Sequence, residues 1–495
     1  MTIEDGSDIL PHNYATEIVQ KLQKIQVYQL GSAEFLRQHS DVQKLNLQAH
    51  KNVAHDEEEW VSELIDSLDK WDVLIFNLIT CYTYRQQFDS HLLANNQFDD
   101  QNKNQASILL FAIYYHEAVL FDLISARIVD QLPRTKYLPE LLDYVSHLLD
   151  RALERPTHPT AQDSFEDLKQ ELQYQRQDLE FKSIITAFSV LRGISCQKCD
   201  LQTEFKLKSH RFHGKVAQIL VQPLKIYERI LKLKEKTEKL EVYEDGEWKP
   251  VESESERFFK VNKTQAQLLL SLLGLSTLQD NYSSSEISTF SQLKSQLNES
   301  LADQIPPLKE LRMFYERLCL QQPSDLEDFQ QKVQDQFGYG GKNAVVIDVV
   351  SAVYGQIESL NRKFAEGHQK QPESQNSILT KQLESGVVEL KSTRQEITSL
   401  QIKETICAQI CNYIKDFNPQ TATIETQFDK VFPTCSCGQV AKFRCAKCKQ
   451  VWYCGRDCQV KDWKEHKKVC GKKVEDNDIQ ALLKKIEKGP PVKYD

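Results

Sequence analysis

The sequence predicts an all-α protein: an irregular, solenoid-like body of helical repeats with one small β-hairpin, followed by a small cysteine-rich module. Three observations point there. Only 16 of the 495 residues are glycine, few for a fold rich in strands and turns. Apolar residues recur at three- and four-residue spacing along most of the chain, the pattern of amphipathic helices. Seven of the 13 cysteines fall within Cys435–Cys470.

The elements follow in chain order. Ser40 is placed to cap a helix through Val42, Leu45, Leu47 and Ala49. Trp60, Leu64, Leu68, Trp71, Ile75 and Leu78 form one stripe over Glu57–Ile79. Ile108–Val129 is apolar nearly all round and reads as a buried central helix, with Leu138–Leu153 next. Pro156 and Pro159 mark a linker, and Ser164 with Asp167 resembles a capping box opening a helix to Leu191. Two more helices are expected within Leu201–Phe212 and Lys215–Lys236. Alternation about Asp245-Gly246 in Leu240–Pro250 signals a hairpin. Helices resume at Lys263–Leu275 and continue in pieces to Phe337. Gly338, Gly340 and Gly341 read as a loop, and a long helix spans Ser377–Phe417. Each stripe is read as core packing. No fixed repeat emerges.

This order suggests an N-terminal helical region 1–155, a central region 160–337 with the hairpin near 240–250, and C-terminal helices 342–417. The cysteine module follows at 435–470, then a tail 471–495 with a short amphipathic helix. Charge separates these parts. Nine basic and three acidic residues give 435–470 a charge of +6, and the tail adds +1. Residues 1–434 therefore carry −16 within a chain total of −9. An acidic body is a poor nucleic-acid platform. The longest uninterrupted apolar run, Ile108–Tyr115, is eight residues, and no segment is expected to span a membrane. Met1–Leu10 carries Glu4, Asp5 and Asp8 and no basic residue, the wrong charge for a signal or transit peptide. A reducing compartment is the expectation, where thiols bind metal or stay reduced.

The module reads Cys435-x-Cys437-x7-Cys445-x2-Cys448-x5-Cys454-x3-Cys458-x7-His466-x3-Cys470. Eight soft ligands suffice for two closed, tetrahedral, structural zinc sites with no position left for a catalytic water. So few large apolar side chains cannot fold such a short segment unaided, so metal would drive its folding. Trp452, Tyr453 and Trp463 are expected to form its apolar seam, and Asp462–Lys468 a short helix presenting His466. Seven thiolates and two Zn²⁺ leave about +3 on the folded module. A second set, Cys196, Cys199, His210 and His213, has the wrong spacing for a finger and is read as packing and helix-end residues. Cys81, Cys319, Cys407 and Cys411 lie on helical stripes and read the same way. His116-Glu117 is read as a water-facing or capped polar pair, since adjacent helix residues do not face each other. No phosphate-cradling, nucleophile-elbow or His-Glu-x-x-His motif is present.

The run from Trp452-Tyr453-Cys454 to Cys470 resembles the MYND zinc finger. That resemblance implies interleaved sites: Cys435, Cys437, Cys454 and Cys458 on one ion, Cys445, Cys448, His466 and Cys470 on the other. One position departs, since the family's first pair is Cys-x2-Cys, which would put a cysteine at Thr434. Further motifs run through the body. They are Gln38-His39, Lys44–Ala49, His116-Glu117-Ala118, Leu142-Asp143-Tyr144, Leu179-Glu180-Phe181, Ser189–Arg192, and Gly246 with Trp248. In that order, with Cys458-Gln459-Val460-Lys461, they resemble the zinc finger MYND domain-containing protein 10 family. The resemblance implies a non-enzymatic cytoplasmic factor for preassembly of inner and outer axonemal dynein arms. Its implied partners are a leucine-rich-repeat dynein assembly factor, a heat-shock chaperone with co-chaperones, and dynein chains as clients. It also implies sites near centriolar satellites or basal bodies. The finger alone also suits a transcriptional co-regulator. A SET-type methyltransferase is disfavoured, because no methyl-donor motif is present.

Overall fold

Asp100–Asp130 forms one helix in which residues 112–128 are buried without interruption. A helix apolar on every side needs neighbours on every side, and the rest of the body supplies them. The computed structural model describes residues 10–54, 59–95, 100–154, 168–197, 199–232, 238–244, 246–251, 257, 259–278, 281–320 and 400–417 of one unit. It describes 443–444, 452–453 and 456–467 of a second. The first unit covers 1–426 and the second 427–495.

The first unit opens with α1 (His12–Lys21), a 3-10 turn (Val27–Gln29), α2 (Ala33–Ala54), α3 (Trp60–Ser67), α4 (Trp71–Gln87), α5 (Asp89–Asn95) and α6 (Asp100–Asp130). Then come α7 (Leu138–Glu154), α8 (Leu168–Ser195), α9 (Leu201–Ser209) and α10 (Phe212–Val221). Strands β1 (Glu228–Lys232), β2 (Glu238–Glu244) and β3 (Glu247–Pro250) follow. Helices α11 (Lys263–Ser276), α12 (Ser284–Gln296), α13 (Glu299–Gln304), α14 (Leu308–Cys319) and α15 (Leu400–Asp416) complete it. α6 packs on α2, α4, α8 and α15, while α8 packs on α6, α7 and α11. By composition Asn102–Ile128 is long and apolar enough to cross a membrane, which corrects the expectation drawn from run length. Nine-tenths of its most apolar stretch is covered by these neighbours.

Close packing of the hub uses two glycines. A Cβ at Gly193 of α8 would lie 2.6 Å from the Ile128 carbonyl oxygen, and one at Gly274 of α11 would overlap the Ser195 carbonyl oxygen. Irregular backbone is satisfied by side-chain amides. Gln38 brackets Gln23, accepting from its N–H at 2.9 Å and donating to its carbonyl at 3.0 Å. Asn77 accepts from Ile25 N–H at 2.8 Å. Four helices start on polar caps, at Asp200, Asn262, Ser283 and Asn298.

Several expectations need correction. The stripe over Glu57–Ile79 is two helices, because Asp69 takes a left-handed conformation (φ 51°) between α3 and α4. Trp71 Nε1 donates to Asp66 Oδ1 at 2.6 Å across that bend. Ser40 lies inside α2 rather than capping it. The helix expected to Lys236 ends at Val221, just before Pro223, and Glu228–Lys232 is a strand. The hairpin is therefore a three-stranded antiparallel meander, β1-β2-β3. Tyr243 pairs with Trp248 in it, and Gly246 (φ 81°) makes the tight turn. Of the helix expected over Ser377–Phe417, residues 400–416 are described. The Ser164–Asp167 box, the glycine loop at 338–341 and the 471–495 tail lie outside the described residues.

Candidate metal centre and finger surface

In the second unit, β4 (Phe443–Arg444) and β5 (Trp452–Tyr453) pair antiparallel, with Phe443 opposite Tyr453. Helix α16 (Arg456–His466) packs on β5. It begins well before the expected Asp462.

Two predicted ligands lie among the described residues. Cys458 is half-buried, and His466 is 5% exposed. Asp462, also half-buried, lies between them. Spacing of four and eight residues puts all three on one face of α16. A rise of 1.5 Å per residue sets Cys458 and His466 about 12 Å apart along the axis. A thiol and an imidazole on the inner face of a short helix are the soft sulfur and nitrogen donors that zinc takes, so these residues fit the metal. Bound zinc would supply structural cross-links. Cys435, Cys437, Cys445, Cys448, Cys454 and Cys470 lie outside the described residues.

The opposite face of α16 is exposed. Arg456, Val460, Trp463 and Lys467 follow one another at spacings of four, three and four. Val460 is 64% and Trp463 42% exposed. Trp463 was expected inside the seam, yet it faces outward with its ring 5.8 Å from that of His466.

The second Cys/His set does not converge. Cys196 Sγ approaches the Leu270 carbonyl and Cys199 Sγ the Ile194 carbonyl, while His210 Nε2 is 2.7 Å from Asp143 and His213 Nε2 2.9 Å from the Tyr315 hydroxyl. Among the described residues, no three His, Cys, Asp or Glu side chains form a metal-binding group.

The sequence reading missed a buried polar seam along α6. His116 and Glu117 are buried, not water-facing. His116 Nδ1 is 3.0 Å from His39 Nδ1 of α2. Burial pushes His39 down to about 3 and His116 well below its usual value, the neighbouring His39 adding to the second effect. Glu117 accepts from Arg85 Nη2 at 2.8 Å and from the Tyr144 hydroxyl at 2.9 Å. Arg85 also reaches Glu180 at 3.3 Å, and Arg151 reaches it at 3.1 Å. Burial would raise the Glu180 carboxyl. The Arg151 hydrogen bond and the charges of Arg85, Arg151 and Arg176 outweigh that and hold it below the usual range. Further along, Asp122 meets Asn46 at 2.9 Å and His50 at 2.7 Å. Polar residues inside an otherwise apolar helix were the available signal. The carboxylates of this seam are paired with arginine, tyrosine, asparagine or histidine partners and read as structural.

The sequence profile of the MYND finger family matches residues 434–470. MYND fingers are protein-interaction modules with structural zinc. The chain is 26% identical over 481 aligned residues to the zinc finger MYND domain-containing protein 10 homolog of Drosophila melanogaster, covering 91% of this chain and 96% of that one. Partial likenesses join it to Tudor domain-containing protein 1. In Mus musculus it is 39% identical over 57 residues, covering 10% of this chain and 5% of that one. In Oryzias latipes it is 53% identical over 34 residues, covering 7% and 3%. No solved structure matches. The chain is thus similar, almost end to end, to a zinc finger MYND domain-containing protein 10 homolog, and it carries a MYND finger at residues 434–470.

Proposed function

We propose that the chain is a non-enzymatic cytoplasmic adaptor for preassembly of the inner and outer dynein arms of motile cilia. It works beside a heat-shock chaperone and its co-chaperones, a leucine-rich-repeat assembly factor and dynein chains. The observation that carries this reading is the near end-to-end likeness to a protein 10 relative, finger included. A closed finger with an exposed cation, aliphatic, aromatic and cation row on α16 is suited to docking a partner segment, and the helical body to holding a client. Deleting the gene in multiciliated cells should remove both sets of arms from the axoneme. Intact arms by electron microscopy would refute the reading. A pull-down comparing the full chain with one ending near Pro433 then assigns partners to the finger or the body.

The finger holds two zinc ions in this reading. Ligands about 12 Å apart on one helix cannot share an ion whose bonds are 2.0–2.3 Å. Metal analysis should return two zinc per chain, and a count of one would overturn this.

A further inference from the structure

Two of the most exposed large apolar side chains in the body stand one turn apart on a single helix. Leu201 is 86% and Phe205 68% exposed, both on α9. This helix is firmly held. Asp200 caps it, accepting from Thr203 N–H at 2.7 Å. Thr203 and Leu207 are buried on its inner face. The Asp143 carboxylate of α7 accepts from Lys206 at 2.8 Å and lies 2.7 Å from His210 Nε2. The outer row of Leu201, Phe205 and Lys208 is therefore displayed in a fixed orientation, and such apolar display marks an interaction surface.

Charge along α9 is polarised. Asp200 and Glu204 lie toward its start, Lys208 and Arg211 toward and just past its end, and the apolar pair between. Arg211 pairs with Glu286 yet keeps 48% of its side chain exposed. A second α9 laid antiparallel across this one brings the two Phe205 rings to the axis. It also sets each acidic end against the other's basic end. The face is thus complementary to itself, as a twofold contact between identical chains requires.

We propose that two copies of this chain associate through α9, with Phe205 at the twofold axis and Glu204 facing Lys208 of the partner copy. The inference stands independently of the function proposed above. A contact built on one short helix is small, so the dimer is weak and depends on concentration.

Sedimentation of the full-length, zinc-loaded chain up to about 100 µM tests this. A monomer–dimer equilibrium is expected. Phe205→Glu should raise its dissociation constant at least about tenfold. Glu204→Lys and Lys208→Glu should each weaken self-association, whereas an equimolar mixture of the two should associate as well as the parent. All three positions face solvent or are half-exposed, and unchanged circular dichroism confirms folding. A parent chain that stays monomeric overturns the proposal. So does a dimer indifferent to Phe205→Glu, or a mixture no better than its components.

Discussion

Arg85 stands between two buried carboxylates, Glu117 and Glu180, with 9% of its side chain exposed. Burial opposes its charge, and Glu117 more than compensates. Breaking such a group from one side leaves charge stranded in a low-dielectric interior. Arg85→Met should cost about 3–5 kcal/mol in urea denaturation, and Arg85→Met with Glu117→Leu should recover much of it. The histidine pair makes a separate prediction. The fold keeps His39 and His116 neutral, since burial depresses both. The unfolded chain takes up protons below about pH 6.5. Their contribution is therefore complete above that pH and is lost progressively as pH falls below it, by up to ~1.4 kcal/mol per pH unit for each histidine. The urea midpoint should drop between pH 7 and pH 5, and His39→Gln should flatten the drop. An equally steep profile in that variant would contradict the assignment.

At the scale of elements, helices cross where glycine lets backbones touch. Gly274→Ala pushes a methyl group into the Ser195 carbonyl of α8, and α11 must shift. Overpacking of this kind costs about 1–3 kcal/mol, readable as a lowered midpoint with the same helicity. Legibility differed between elements for physical reasons. α6 was readable because its apolar run is longer than any loop tolerates. The Gly246 turn was readable because a positive φ there favours glycine. The break at Asp69 was not, since aspartate enters the left-handed region without advertising it and the apolar stripe continues on both sides. β1 was hidden because Glu228–Lys232 carries no clean alternation. The partners of His116 and Glu117 lie 77 and 32 residues away, beyond any local pattern. The finger as a module was legible because one metal chemistry fixes the spacing of its Cys and His residues. The outward turn of Trp463 was not, since an aromatic side chain in a small module suits either face.

The whole molecule contains two units with different sources of order. The body has a continuous apolar core from α2 to α14, whereas the finger depends on metal. Chelation, or His466→Ala, should therefore remove zinc and finger structure while leaving the body's far-UV signal and urea midpoint unchanged. Loss of body helicity would contradict the two-part organisation. The body's own completion has a timing. Ile406, Cys407, Ile410, Cys411 and Ile414 of α15 are buried against the 3-10 turn, α5 and α6. α15 lies roughly 280 residues downstream of the end of α6. At about 5–20 residues per second, the ribosome leaves the apolar flank of α6 uncovered for about 15–55 seconds. A nascent chain of this design carries an exposed apolar flank through much of its own synthesis.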